Sequence, residues 1–326
     1  MLPAHGGGKQ KPAGGARISQ YCRPPQKQKA ESGSGPCLSS VYFQVLSSLR
    51  LKKNAGQALA LSEIRRTAME EKKTSRLYRV IRWLVWLFTP KFKAVGAENL
   101  PEGPCVIVGN HSQMYGPIAA ELYTPGDHYV WCAGEMMHRE EVADYAYQDF
   151  WSDKPRWSRW FYKLLSHLIA PLAELIFTNA HTVAVYHDAR LITTFRESVT
   201  RLISGSRMVI FPEHKVAHNN IVHQFQDKFV DLARFYYRKT GEELSFVPLY
   251  LAPRLKTMFY GQPIRFRADA PIAQERQRIC RELMDGITAL ALAQPAHTVV
   301  PYPNIPKKQY PKNIPLEVTA DEEAAR

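Results

Sequence analysis

The chain has 326 residues, 45% of them hydrophobic, with a formal net charge of +13 and a sequence pI near 9.5. That length supports one large domain or two small ones with a real core. Residues 1–75 hold 13 Lys and Arg against four Glu, so +9 of the charge lies there and +4 in the rest. A mildly basic main domain does not imply nucleic-acid binding, so nucleic acid is an unlikely partner.

The five cysteines, Cys22, Cys37, Cys105, Cys132 and Cys280, form no Cys-x-x-Cys pair. An odd count at wide spacing fits a reducing compartment and no structural zinc. Cys105 and Cys132 lie in apolar runs and read as buried free thiols. The first residues are rich in Gly and Lys, without the apolar core of a secretory signal.

Along the chain, residues 1–40 are rich in Gly, Pro, Ser, Gln and Lys, and read as disordered. Residues 41–75 hold only scattered helix-compatible turns, and well-patterned sequence begins near Met69. Residues 1–68 are therefore expected to be a disordered or low-complexity basic extension, dispensable for the fold. Within 69–94, Arg76, Arg79 and Arg82 recur every three positions beside Trp83, Leu84, Trp86, Leu87 and Phe88. The apolar run is too short to cross a bilayer. Basic residues beside Trp and Leu suit a helix in the membrane interface; packing on the domain is the other reading.

From residue 95 to 296 the pattern is α/β. Strands are expected at 104–109, 128–133, 182–186, 207–211, 245–250 and 258–266. Helices are expected near 116–124, 157–178, 189–204, 224–239 and 271–294. Alternation of this kind predicts one mixed, largely parallel sheet covered by helices, with an N-terminal amphipathic helix in front. Between 157 and 169, Trp157, Trp160, Phe161, Leu164, Leu165, Leu168 and Ile169 share one helical face. Most such stripes are core; the flanking Arg156, Arg159 and Lys163 keep a membrane or acyl-chain role open. Residues 297–326 form a Pro-rich and acidic tail, expected to be extended.

Four blocks carry candidate chemistry. They are Asn110-His111-Ser112-Gln113-Met114-Tyr115-Gly116, then Val183-Ala184-Val185-Tyr186-His187-Asp188-Ala189-Arg190, then Val209-Ile210-Phe211-Pro212-Glu213-His214, and last Phe246-Val247-Pro248-Leu249-Tyr250. A histidine at a strand-to-helix turn is well placed as a general base. Glu213-His214 with His218 and His223 invites a metal reading, but the polar surroundings read as a loop and no metal is expected.

In order and strand context, these blocks resemble the lysophosphatidic acid and glycerol-phosphate acyltransferase superfamily. The resemblance spans roughly residues 76–295. It implies acyl transfer from an acyl-CoA or acyl-carrier-protein thioester to a lysophospholipid or glycerol-phosphate-type hydroxyl. It implies no cofactor, a membrane surface and lipid substrate as partners, and a cytoplasmic location, peripheral on the inner face of the membrane. His111 matches the family base. Glu213 and Lys215 fall in the acceptor-binding block, where His214 replaces the family glycine. His187 or Arg190 corresponds to the basic residue of the second block.

The family places a carboxylate five positions after its histidine, to fix the imidazole and stabilise its cation, as in serine-protease triads. Here that position is Gly116. Glu121, Asp127 and Glu213 are the candidates to replace it. If none does, the alternative is a catalytically silent acyltransferase-fold protein that binds lipid or a protein partner. The 100 positions from His111 to Phe211 exceed a compact member, and Tyr145–Trp151 reads as an insertion on the acyl or membrane side.

Overall fold

The structure, a computed structural model, describes residues 74–151, 155–186 and 188–314. The extension 1–68 and residue His187 lie outside the described residues.

An eight-stranded mixed sheet forms the centre. Its strands are β1 (Lys93–Val95), β2 (Cys105–Gly109), β3 (His128–Ala133), β4 (Thr182–Val185), β5 (Arg207–Ile210), β8 (Ser245–Ala252), β9 (Thr257–Tyr260) and β10 (Ile264–Arg265). The order is β1-β9-β8-β2-β5-β3-β4, with β10 also paired to β8. The ladders joining β8, β2, β5, β3 and β4 are parallel, while β9 and β10 run antiparallel to β8. A separate hairpin of β6 (Glu213–Ala217) and β7 (His223–Phe225) follows β5. The α/β class, with a largely parallel sheet under helices, is as the sequence predicts.

The central strands are buried on both faces, which explains their unbroken apolar runs. Side-chain alternation divides them between two cores. Val106, Val108, Met208, Ile210, Phe246 and Tyr250 face α5 (Leu191–Ile203), α6 (Asp231–Thr240) and α7 (Ile272–Leu292). Cys105, Ile107, Val209, Val247, Leu249 and Leu251 face Ala119 and Ala120 of α2 (Tyr115–Tyr123).

The expected N-terminal helix is present as α1 (Arg76–Phe88). The Ser75 hydroxyl accepts the Tyr78 N–H at 3.0 Å and caps it. Only Tyr78 of α1 is buried, whereas Leu77, Val80, Trp83, Leu84, Trp86, Leu87 and Phe88 are exposed. Between β3 and β4 the chain makes a helical pair, α3 (Arg139–Trp151) and α4 (Arg159–Asn179), closed by Met136, Val142, Ala143, Ala170 and Ala173. Small residues form the buried face of α4. Its aromatic stripe faces outward: Trp157, Trp160, Phe161, Leu164, Leu168 and Leu172 are exposed, so the core reading of that stripe is not met. The segment Arg156–Asn179 is long and apolar enough to cross a membrane, judged by length and composition. Asn179 Oδ1 accepts the Ser75 N–H at 2.9 Å, joining the end of α4 to the start of α1.

Two further expectations are corrected. The strand expected at 258–266 is broken into β9 and β10 at Gly261-Gln262-Pro263, where Pro263 has no N–H to give a ladder. The helix expected at 224–239 begins at Asp231; His223–Phe225 is strand and 227–230 a tight turn. Asp231 then occupies the first turn, where a carboxylate meets free backbone N–H groups, and Arg276 pairs with it. Tyr145–Trp151, read as an insertion, lies in helix α3.

Burial pushes the Cys105 thiol up to about 11, and the Cys132 and Cys280 thiols up to about 12. The thiolate is the reactive form, so each is inert near neutral pH. Iodoacetamide is expected to label these three only after unfolding, read by peptide mass spectrometry. Labelling of native Cys105 or Cys280 at the unfolded rate contradicts this packing.

Candidate functional site

The parallel strands deliver their C-terminal ends to one edge of the sheet, where open α/β sheets bind ligands. β2 and β5 are adjacent there, in register from Val106–Met208 to Val108–Ile210. The residues after each strand meet at that edge.

Asn110 is buried as β2 ends. Its Oδ1 accepts the Leu251 N–H at 2.7 Å, and its Nδ2 donates to the Leu251 carbonyl at 3.1 Å and the Ser112 hydroxyl at 2.8 Å. The side chain thus continues the β2–β8 ladder one step beyond the backbone pairing, which ends at Gly109–Leu249. The main chain is freed to turn. Ser112 and Gln113 both take left-handed conformations, φ 48° and 55°. Non-glycine residues there cost ~1–3 kcal/mol each, and such strain concentrates at functional turns.

Glu213 approaches from β5, just after Phe211-Pro212, and is also buried. Its Oε2 accepts the His111 backbone N–H at 2.5 Å, and its Oε1 accepts the His223 backbone N–H at 2.7 Å. One carboxylate therefore joins the His111 turn to the β6–β7 hairpin. The His223 Nδ1 lies 3.7 Å from Oε1. Two backbone donors compensate the burial of a charged group.

The His111 ring lies among aromatics. Phe211 meets it edge-on with ring centres 5.6 Å apart, and Tyr302 does so at 5.5 Å. Tyr302 also contacts the His223 ring at 6.1 Å. A cleft of about 260 Å³ opens between the hairpin and the C-terminal segment, lined by Asn220, Ile221 and His223 on one side and Pro301, Ile305 and Gln309 on the other.

Position 116 is closed to any side chain. The Gly116 N–H donates to the His111 carbonyl at 3.0 Å, and a Cβ added at Gly116 would lie 2.2 Å from that oxygen. The double left-handed turn brings the two backbones together, and only glycine fits. The carboxylate that the resemblance implies there is excluded by backbone geometry.

The other candidates are distributed as follows. Glu121 accepts from the Tyr78 hydroxyl at 3.0 Å and pairs with Arg82, away from His111. Asp127 accepts from the Ser206 hydroxyl. Arg190 pairs with Asp188 and Glu141 and lies over the Tyr186 ring at 4.1 Å. The Asp188 carboxylate beside it raises its pKa further. Arg190 follows β4, three ladders from β2, or about 14 Å across the sheet. Lys215 is exposed on β6, two residues beyond Glu213. His214 accepts the Val216 N–H at its Nδ1. Among the described residues, no group of three or more His, Cys, Asp or Glu converges to hold a metal ion.

The structure thus unites His111 with Glu213, and adds Asn110, His223 and Tyr302, which have no assigned chemistry in the sequence reading apart from the metal option at His223. Tyr302 stands between Pro301 and Pro303 in the tail, where an aromatic among prolines is the one available signal.

No family model and no curated protein matches this sequence. A solved structure, the 1-acyl-sn-glycerophosphate (LPA) acyltransferase PlsC from Thermotoga maritima, matches with TM-score 0.36 and 14% identity over 78% of this chain and 90% of that one. A likeness that distant carries no argument about the reaction, and the site's own geometry must supply it.

Gly116→Ala is expected to lower stability by about 1–3 kcal/mol, because the His111 carbonyl must move. Gly116→Asp is expected to be at least as destabilised and to gain no activity. Thermal unfolding measures both; an unperturbed Gly116→Asp protein contradicts the closed position.

Proposed function

We propose that this protein is a peripheral membrane O-acyltransferase. It would move an acyl group from an acyl-CoA or acyl-carrier-protein thioester to the hydroxyl of a lysophospholipid or glycerol-phosphate-type acceptor. The observation that carries the reading is the meeting of His111 and Glu213, 102 positions apart, at the ends of adjacent strands. These residues belong to the two blocks that resemble acyltransferase motifs.

The chemistry assigned to them is simple. The acceptor hydroxyl attacks the thioester carbonyl while the His111 imidazole takes its proton. The C–O bond forms, the C–S bond breaks, and the proton passes to the departing thiolate. Glu213 faces inward on two backbone amides, so its role is to hold the His111 turn rather than to touch acceptor. Lys215, exposed on the same hairpin, offers a point charge for an acceptor phosphate. Arg190, held in its own ion pairs at the sheet edge, is left out of this assignment.

The outward apolar stripes of α1 and α4 support a location at a membrane surface. Trp83, Trp86, Trp157 and Trp160 stand among Arg76, Arg79, Arg82, Arg156 and Arg159, a composition suited to the lipid interface. The closed position at Gly116 favours a second reading, a silent member of the fold that binds lipid without turnover.

Release of free thiol from an acyl-CoA, with anionic vesicles containing lysophosphatidic acid, tests the assignment. The wild-type protein is expected to sediment with the vesicles and release thiol. The His111→Ala variant should sediment equally but release thiol about 100-fold more slowly. Equal rates in both proteins refute the role of His111. Vesicle binding without release from any thioester offered supports the silent reading.

A further inference from the structure

The C-terminal segment folds back as a loop over the His111 turn. Its neck is closed by a bridge between Thr298 and Lys312, with the Val299 N–H on the Pro311 carbonyl at 2.9 Å. Asn313 anchors the neck by accepting the His297 N–H at 2.7 Å and donating to the Ala291 carbonyl at 2.8 Å. His297 Nδ1 faces the Pro295 carbonyl, so that nitrogen carries the proton and Nε2 accepts from the buried Tyr250 hydroxyl at 2.7 Å. Val299 and Val300 are buried beside it. The neck thus belongs to the core.

The tip belongs to the site. Gln113, the second left-handed residue after His111, donates through Nε2 to the Pro303 carbonyl at 3.2 Å and the Tyr310 hydroxyl at 3.0 Å. Tyr302 packs on the His111 and His223 rings together. Pro301, Pro303, Pro306 and Pro311 restrict the backbone, so the tip loses little freedom on closing. A short, closed loop with its own packing, laid on a functional turn, is the usual form of a loop that serves a site.

A general base works from one ring orientation, and two aromatic rings meet that of His111 edge-on. We propose that Tyr302 is a positioning residue of this site: together with Phe211, it fixes the His111 ring by edge-to-face packing. The C-terminal loop therefore forms part of the site. The proposal deepens the reading of His111 as the base and rests on it. The contacts invoked are those of the Tyr302 ring with the His111 and His223 rings.

The test compares Tyr302→Ala with Tyr302→Phe in the full-length protein. In the first readout, histidine ring nitrogens are labelled with ¹⁵N and the His111 signals assigned from their loss in His111→Ala. Wild type and Tyr302→Phe should show strong, single nuclear Overhauser contacts from the His111 ring protons to the Phe211 ring, the mark of one ring orientation, and Tyr302→Ala averaged signals. In the second, thiol release by Tyr302→Ala should show kcat reduced about tenfold or more with KM for the acceptor nearly unchanged, and Tyr302→Phe should restore it. If Tyr302→Ala does not fold, Gln113→Asn replaces it: it keeps a residue tolerant of the left-handed turn, withdraws the grip on Pro303 and Tyr310, and should give averaged His111 signals. Unchanged His111 signals in the folded Ala variant, or in its Gln113→Asn replacement, overturn the proposal, as does a Phe variant as impaired as Ala. If the wild-type protein transfers no acyl group, the function assigned above fails, while the ring signals still decide what Tyr302 does.

Discussion

A single buried carboxylate organises the edge of this sheet. Glu213 accepts one backbone N–H from the turn after β2 and another from the start of β7. Removing it would leave two inward donors without acceptors, at about 1–3 kcal/mol each. The arrangement exists because β2 and β5 are neighbours in a parallel sheet, so that residues following each emerge side by side. Asn110 completes the frame by using its amide as the next rung toward β8.

This frame excludes a side chain at position 116 beside the histidine. A turn with two left-handed residues carries His111 away from the sheet and presses its carbonyl against Gly116. That conformation leaves no room for a carboxylate five residues on. The ring meets Phe211 and Tyr302, each edge-on. An electrostatic partner fixes a tautomer and stabilises the cation, whereas aromatic edges fix orientation and leave charge to other groups. Outside the site, the protein leaves large apolar stripes uncovered on α1 and α4, more than scattered surface residues require.

Much of the architecture was legible because buried parallel strands are short apolar runs bounded by turns. The runs containing Val106, Val183, Val209 and Phe246 all became strands, and α1, α2, α4, α5 and α7 followed the helical period. Errors came where local pattern and tertiary role separate. Gln224 and Phe225 read as the start of a helix, yet Glu213 captures the N–H of His223, 10 residues away in sequence, and draws this stretch into a hairpin. The aromatic face of α4 has the spacing of a core stripe, and only the small residues Ala170 and Ala173 reveal which face is packed. At the site, His111 and Glu213 could be found from their blocks. Neither the inward direction of Glu213 nor the place of Tyr302 was legible, since each depends on contacts of more than 75 residues' separation.

Glu213→Gln tests this account most directly, because it keeps shape while replacing one carboxylate oxygen by an N–H₂ donor. One of the two backbone amides must then face another donor. Hydrogen exchange resolved at His111 and His223 should show protection falling about tenfold or more at one or both amides, with the amides of β8 unchanged. Unaltered protection at both amides would contradict the central role given to that carboxylate.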